Sequence, residues 1–176
     1  DLKIRKVKVP TGFVHRGFKD ALDEVWDDVL KWLNEQKRES VFFTGHSLGG
    51  ALATLAASRW NTVTTHLYTF GSPRVGGRKF VQSFKTSERY RYRNNNDIVT
   101  RVPFEILGYK HVSGDGGKFI YFDVDGNVSK KFSRWYMFKQ WLKGTLRGFT
   151  KLKVDGFSDH SIEAYYQYCR REMIGK

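Results

Sequence analysis

The stretch Ser40-Val41-Phe42-Phe43-Thr44-Gly45-His46-Ser47-Leu48-Gly49-Gly50-Ala51-Leu52-Ala53 decides the fold of this chain. Its opening residues form a short β-rich apolar run, and the small-residue pattern from Ala51 to Trp60 reads as a helix. Between them Gly45-His46-Ser47-Leu48-Gly49 fits the G-x-S-x-G pattern, in which a serine stands on a strained turn between a strand and a helix with its Oγ exposed. The two glycines are expected to be obligatory, because a side chain two positions either side of the serine would meet the neighbouring strand or helix. A glycine-rich turn whose serine only caps a helix uses the same letters. The strand before and the helix after favour the reactive turn.

Working outward, Asp1 to Pro10 alternates Leu2, Ile4, Val7 and Val9 with basic residues, the pattern of an extended edge segment. Phe18, Ala21, Leu22, Val25, Trp26, Val29, Leu30 and Leu33 recur at three and four and predict an amphipathic helix whose acids, Asp20 to Asp28, face water. His66 to Phe70 reads as a strand, Gly76 to Phe84 as a helix and Arg89 to Arg93 as a third strand ending in Asn94-Asn95-Asn96-Asp97. Strands separated by helices at this spacing need parallel crossovers, hence an α/β fold with a mostly parallel sheet and helices on both faces. Beyond Pro103, Tyr109 to Ser113 and Lys118 to Val124 are expected to pair as an antiparallel hairpin, with Asp125-Gly126-Asn127 as a turn.

With 176 residues the chain fits one domain, or a large piece of one. Thirty-one Lys plus Arg against 18 Asp plus Glu leave +13, which favours anionic surfaces as partners. The single Cys169 excludes an internal disulfide and a cysteine-built zinc site. No stretch reaches the ~18 apolar residues of a membrane span, so a soluble or peripheral protein is expected, of unassigned compartment and oligomeric state. From the start at Asp1 without Met, a further upstream segment is expected.

A serine is a poor nucleophile until a base takes its proton, and the base needs an acid to orient it. On an α/β-hydrolase fold the acid and then the histidine follow the serine in sequence. Asp97, in the loop after the third strand, is placed as the acid, and His160 in Ser158-Asp159-His160-Ser161 as the base. His46 adjoins the serine with its side chain expected to point away from Oγ; His15 and His66 adjoin the wrong elements, and His111 falls within a predicted strand.

Six segments in order carry a resemblance: Val14-His15-Arg16-Gly17-Phe18; Thr44 to Ala53; Tyr68-Thr69-Phe70-Gly71-Ser72-Pro73-Arg74-Val75-Gly76; Asn96-Asp97-Ile98-Val99-Thr100-Arg101-Val102-Pro103; Gly108-Tyr109-Lys110-His111; and Asp159-His160-Ser161. Together they resemble the class 3 lipases, the fungal-type triacylglycerol lipase family of α/β hydrolases. The resemblance spans Val14 to Tyr166 apart from Lys130 to Asp155. It implies an ester hydrolase acting on lipid esters, with Ser47 as nucleophile, Asp97 as acid, His160 as base and the Leu48 backbone N–H as an oxyanion donor, and with no metal or organic cofactor. That family also carries, upstream of the Val14 block, an Arg-Gly-Thr or Arg-Gly-Ser strand with a second oxyanion donor, and usually a lid. Neither is found here, so the chain is expected to be the C-terminal part of a longer catalytic domain, incomplete at its N-terminus. A catalytically silent lipid- or partner-binding module on the same fold is the alternative.

An insertion at about 130–153 stands apart. From Lys130 to Lys153 it holds eight Lys or Arg and no acid. On a helix, Trp135, Phe138, Leu142, Leu146 and Phe149 share one stripe and Lys139, Lys143 and Arg147 a neighbouring row, with Trp141 beside them. A basic row beside aromatic residues is the pattern of a helix resting on anionic lipid, and the same stripe could equally pack on the domain. No zinc pattern or nucleic-acid motif accompanies the charge, so nucleic acid is not expected as a partner. Asp123, Asp125 and Asn127 lack the closing Glu of a calcium loop, since position 134 is Arg, and are expected to form a turn.

Overall fold

A computed structural model describes residues 5–60, 63–85, 88–112, 117–129 and 158–174, together with 135, 136, 138, 139, 142 and 143. Two sheets organise it. The larger has the order β3 (Ser40–His46), β4 (Thr64–Phe70), β6 (Glu88–Asn94), β8 (Gly117–Phe122) and β9 (Val128–Ser129). The pairs β3–β4, β4–β6 and β6–β8 are parallel, and only β8–β9 is antiparallel. The smaller, wholly antiparallel sheet joins β1 (Lys6–Val9), β2 (Gly12–His15), β5 (Gly76–Gly77) and β7 (Tyr109–Lys110).

The helices α1 (Arg16–Glu35), α2 (Leu48–Arg59), α3 (Arg78–Gln82) and α4 (Ile162–Ile174) accompany the sheets, with short 3-10 turns at Val99–Arg101 and Glu105–Leu107. Helix α1 follows the sequence pattern. Leu22 and Leu33 are buried, while Asp20, Asp23, Glu24, Asp27 and Asp28 are exposed. Helix α2 is different in kind, because Ala51, Ala53, Leu55, Ala56 and Ala57 are buried and it has no wet face wide enough for an amphipathic stripe. Its small side chains let it lie close on β3 and β4 while α1 crosses it on the outside. Val14, Leu22, Ala51, Leu55, Leu67, Val75, Phe80 and Val112 form the core cluster around it. This packing fixes the α2 N-terminus against the end of β3, where Ser47 stands.

Two expectations need correction, and one strand was not anticipated. Lys118 to Val124 does not form a hairpin with Tyr109 to Ser113: β8 pairs in parallel with β6, Tyr90 beside Lys118 and Tyr92 beside Ile120, while β7 pairs with β5 in the other sheet. The aromatic alternation of Phe119, Tyr121 and Phe122 fits a strand buried in the parallel sheet as well as it fits a hairpin arm, and periodicity alone does not choose between them. Gly76 and Gly77 are extended, and the helix expected from Gly76 is confined to Arg78–Gln82. The first strand is followed at once by a second, β2, within the Val14 segment.

Asp125-Gly126-Asn127 does form a turn. Asp123 Oδ1 accepts hydrogen bonds from the backbone N–H groups of Asp125 (2.9 Å) and Asn127 (3.0 Å), and Gly126 has φ 77°. These bonds occupy the Asp123 carboxylate in holding the β8–β9 connection.

Candidate active site

The turn between β3 and α2 puts Ser47 at φ 56° and ψ −126°, among the described residues the only non-glycine with positive φ. Such a conformation costs of order 1–3 kcal/mol and persists only where the surroundings enforce it. Here the Ser47 N–H donates to Phe70 O (3.0 Å), and the Ser47 carbonyl accepts from Gly50 N (3.0 Å), locking the turn from both sides. The two flanking glycines prove unequal. A Cβ on Gly45 would lie 2.3 Å from the carbonyl carbon and oxygen of Gly49, whereas a Cβ on Gly49 meets nothing within 4 Å among the described residues. Steric need therefore holds for Gly45 and is not shown for Gly49.

His160 Nε2 lies 2.8 Å from Ser47 Oγ, and His160 Nδ1 lies 3.0 Å from both Asp97 oxygens. Since a carboxylate only accepts, Nδ1 carries the proton and donates to Asp97, which leaves the Nε2 lone pair for the serine hydroxyl. The three residues named from the sequence thus meet across 113 positions of chain in one hydrogen-bonded row. Asp97 is fully buried at 0% exposure. Its charge is met by the Val99 N–H on Oδ1 (3.0 Å) and the Tyr165 hydroxyl on Oδ2 (2.6 Å), besides the imidazole. Burial first, and the Asp97 charge second, push the Tyr165 phenol well above its ordinary value, so it remains a donor. Gly71, in the left-handed region at φ 59°, admits this row, because a Cβ there would stand 2.7 Å from Asp97 Oδ2.

Two further contacts hold the base loop, and the sequence alone did not single them out. Asp159 Oδ2 accepts from Asn96 N (2.9 Å) and Asn95 Nδ2 (3.2 Å), and its carbonyl accepts from Asn94 Nδ2 (3.0 Å). The Asn94-Asn95-Asn96 run was the available signal, since three amides before a buried acid call for acceptors. His46, expected to point away from Oγ, donates through Nε2 to His160 O (2.7 Å) with its ring 4.6 Å from the His160 ring. Burial pushes the His46 imidazole below its ordinary value, which keeps it neutral.

Leu48 is the first residue of α2, so its backbone N–H has no acceptor within the helix. In the insertion, residues 135, 136, 138, 139, 142 and 143 are helical. Trp135 is 65% and Phe138 48% exposed, their rings stack at 5.7 Å, and Lys139 Nζ lies 5.4 Å from the Trp135 ring centre. Lys143 pairs with Asp125 at 2.9 Å. Trp141 and Arg147, expected on the same surface, lie outside the described residues. Among the described residues no group of acids, histidines and cysteines gathers to ligate a metal, and no helix is long and apolar enough to cross a membrane.

A parallel sheet, a strained serine turn and a Ser–His–Asp row define an α/β-hydrolase fold. The profile of the class 3 lipases matches residues 2–107, and the chain belongs to that family. It is 39% identical over 129 residues to a secreted mono- and diacylglycerol lipase of Fusarium solani, covering 66% of this chain and 38% of that protein. The Rhizomucor miehei triacylglyceride lipase structure superposes with a TM-score of 0.60 at 31% identity, covering 69% of this chain and 51% of the other. A second solved structure, of a triacylglycerol lipase whose catalytic centre is described as a serine protease triad, gives a TM-score of 0.58 at 32% identity, with the same shares covered. The chain thus spans well under two thirds of the length of these relatives.

Proposed function

We propose that the protein is a serine hydrolase of carboxylic esters of lipids, with Ser47 as nucleophile, His160 as general base and acid, and Asp97 as the orienting acid. The observation that carries this reading is the Ser47 Oγ to His160 Nε2 contact of 2.8 Å, backed by a buried carboxylate on the other ring nitrogen. As Oγ bonds to the ester carbonyl carbon, its proton passes to Nε2 and the carbonyl π electrons move to oxygen. The Leu48 N–H, at the positive end of α2, stabilises that oxyanion, a kind of contact worth about 2.7–4 kcal/mol. The imidazolium then protonates the departing alcohol, and water, deprotonated by the same nitrogen, releases the acid and restores Ser47. Asp97 offsets the transient imidazolium charge and fixes the ring.

Lipid esters are the proposed substrate class because the relatives' names are those of acylglycerol lipases and because Trp135 and Phe138 present stacked rings to solvent beside Lys139. Amphipathic indole and cationic side chains of this kind suit the headgroup region of an anionic membrane, and peripheral contact there is part of the proposal. Labelling by a fluorophosphonate probe, followed by hydrolysis of mono-, di- and triacylglycerol emulsions, tests it. Absence of hydrolysis together with retained lipid binding would favour the silent binding module.

A further inference from the structure

Strand β6 places Arg89 beside Leu67 and Arg91 beside Thr69 of β4, on one face of the parallel sheet. That face is interior, and cations are unusual there. Arg91 lies with its guanidinium carbon 4.0 Å above the Phe119 ring, and its Nε is buried with no hydrogen-bond partner. Its surroundings add charge of the same sign, from Arg93 and Arg74. Arg93 Nε is likewise buried and unpartnered, although one of its N–H groups reaches Asn95 O at 3.2 Å. Among the described residues no carboxylate forms an ion pair with Arg91 or Arg93. Burial with this repulsion pushes the Arg91 guanidinium down to about 9, so it is still charged at neutral pH. A largely buried guanidinium without a counter-charge is unfavourable.

Next to Arg91 lies a cavity of about 10 Å³, lined by Thr69, Ser72, Arg89, Arg91 and His111 among others. A space of that size suits one water-sized particle. A halide is nearer that size than a tetrahedral oxyanion or a carboxylate-bearing molecule. His111 donates through Nε2 to Thr100 O (2.7 Å), and burial holds its imidazole well below the ordinary value, so His111 adds no charge of its own. Among the described residues Glu105 stands 4.0 Å from Arg74 and the Asp97 charge acts on Arg93, which leaves Arg91 as the cation of this group without a carboxylate.

We propose that the cavity between β4, β6 and His111 binds one small monovalent anion of the halide class, chloride under ordinary conditions, against the Arg91 guanidinium. The anion would serve as the counter-charge of Arg91 and so stabilise the sheet that carries the Asp97 loop. This inference stands on the Arg91 surroundings and the cavity beside it and does not depend on the proposed hydrolysis.

Thermal unfolding of the protein in sodium chloride, bromide, gluconate and sulfate at equal ionic strength tests it. Chloride and bromide are expected to raise Tm saturably, by about 3–6 °C at tenfold their Kd, with gluconate and sulfate giving no saturable rise. Arg91→Met is expected to abolish the halide-specific rise. A bromide-soaked crystal is expected to show an anomalous peak within contact distance of the Arg91 guanidinium, a readout that remains decisive if the variant does not fold. Equal Tm in all four salts, an unchanged halide effect in a folded Arg91→Met protein, or a water in place of the anomalous peak overturns the proposal.

Discussion

The Tyr165 hydroxyl donates a 2.6 Å hydrogen bond to Asp97 Oδ2, and the phenolic oxygen itself accepts from Asn94 N at 2.9 Å. One buried phenol thereby joins helix α4, which follows the base, to the end of β6, which precedes the acid. Tyr165 therefore acts as a positioning residue for Asp97 in the proposed row.

Tyr165→Phe removes both bonds and leaves a buried N–H and a buried carboxylate oxygen short of a partner. The expected loss of stability is about 1–3 kcal/mol, read from urea unfolding. Hydrolysis should fall by less than in Asp97→Ala, because His160 Nδ1 still reaches the carboxylate. Unchanged stability would show that Asp97 and Asn94 find other partners.

The two glycines of the serine turn should respond in opposite ways. Gly45→Ala forces a contact of 2.3 Å onto the Gly49 carbonyl and is expected to abolish hydrolysis or folding. Gly49→Ala meets nothing within 4 Å among the described residues and, as an early helical position, is expected to leave stability equal or raised by about 0.4–1 kcal/mol. Circular dichroism and ester hydrolysis of the two variants compare them directly, and equal damage from both would refute the steric account.

Stability should decline as pH falls below neutrality. His15, His46 and His111 all have folded values below 6.5, with burial as the leading cause. In the unfolded chain they take up protons near 6.5 while the folded chain resists, so their contribution is complete above that pH and is lost progressively below it. Tm measured at pH 7.5 and pH 5.5 should be lower at the acid end. A flat or rising profile would mean that these rings are hydrated in the folded protein.

For the membrane-facing surface, Lys139→Glu should weaken sedimentation with phosphatidylglycerol vesicles more than Lys143→Glu. Lys143 is already paired with Asp125, whereas Lys139 stands beside the exposed Trp135 ring. Trp135→Ala should also release the protein from vesicles. Binding indifferent to all three changes would remove lipid contact from the proposal.

The parts of the fold legible in the sequence were those whose signals are local. The β3–turn–α2 unit announced itself through glycines and a change of period, and α1 through its apolar stripe. Ser47, Asp97 and His160 followed from chain order and a family resemblance, and His160 stands within hydrogen-bonding distance of both of the others. What escaped was set by non-local pairing. Nothing in Lys118 to Val124 distinguishes a partner at β6 from one at β7. Tyr165 and Asp159 read as an ordinary helix residue and a loop acid until the fold brings them against Asp97 and Asn96. The requirement for glycine at position 49 was inferred from the motif, whereas no described residue would stand within 4 Å of a Cβ there.

The most direct test of the central claim is fluorophosphonate labelling of the wild-type protein beside Ser47→Ala, His160→Ala and Asp97→Ala. Labelling of the wild type, none in Ser47→Ala, and loss of labelling rate by several orders of magnitude in His160→Ala is the predicted result. A folded wild type that takes no probe, or a Ser47→Ala protein that labels as well as the wild type, would contradict an activated serine at this turn.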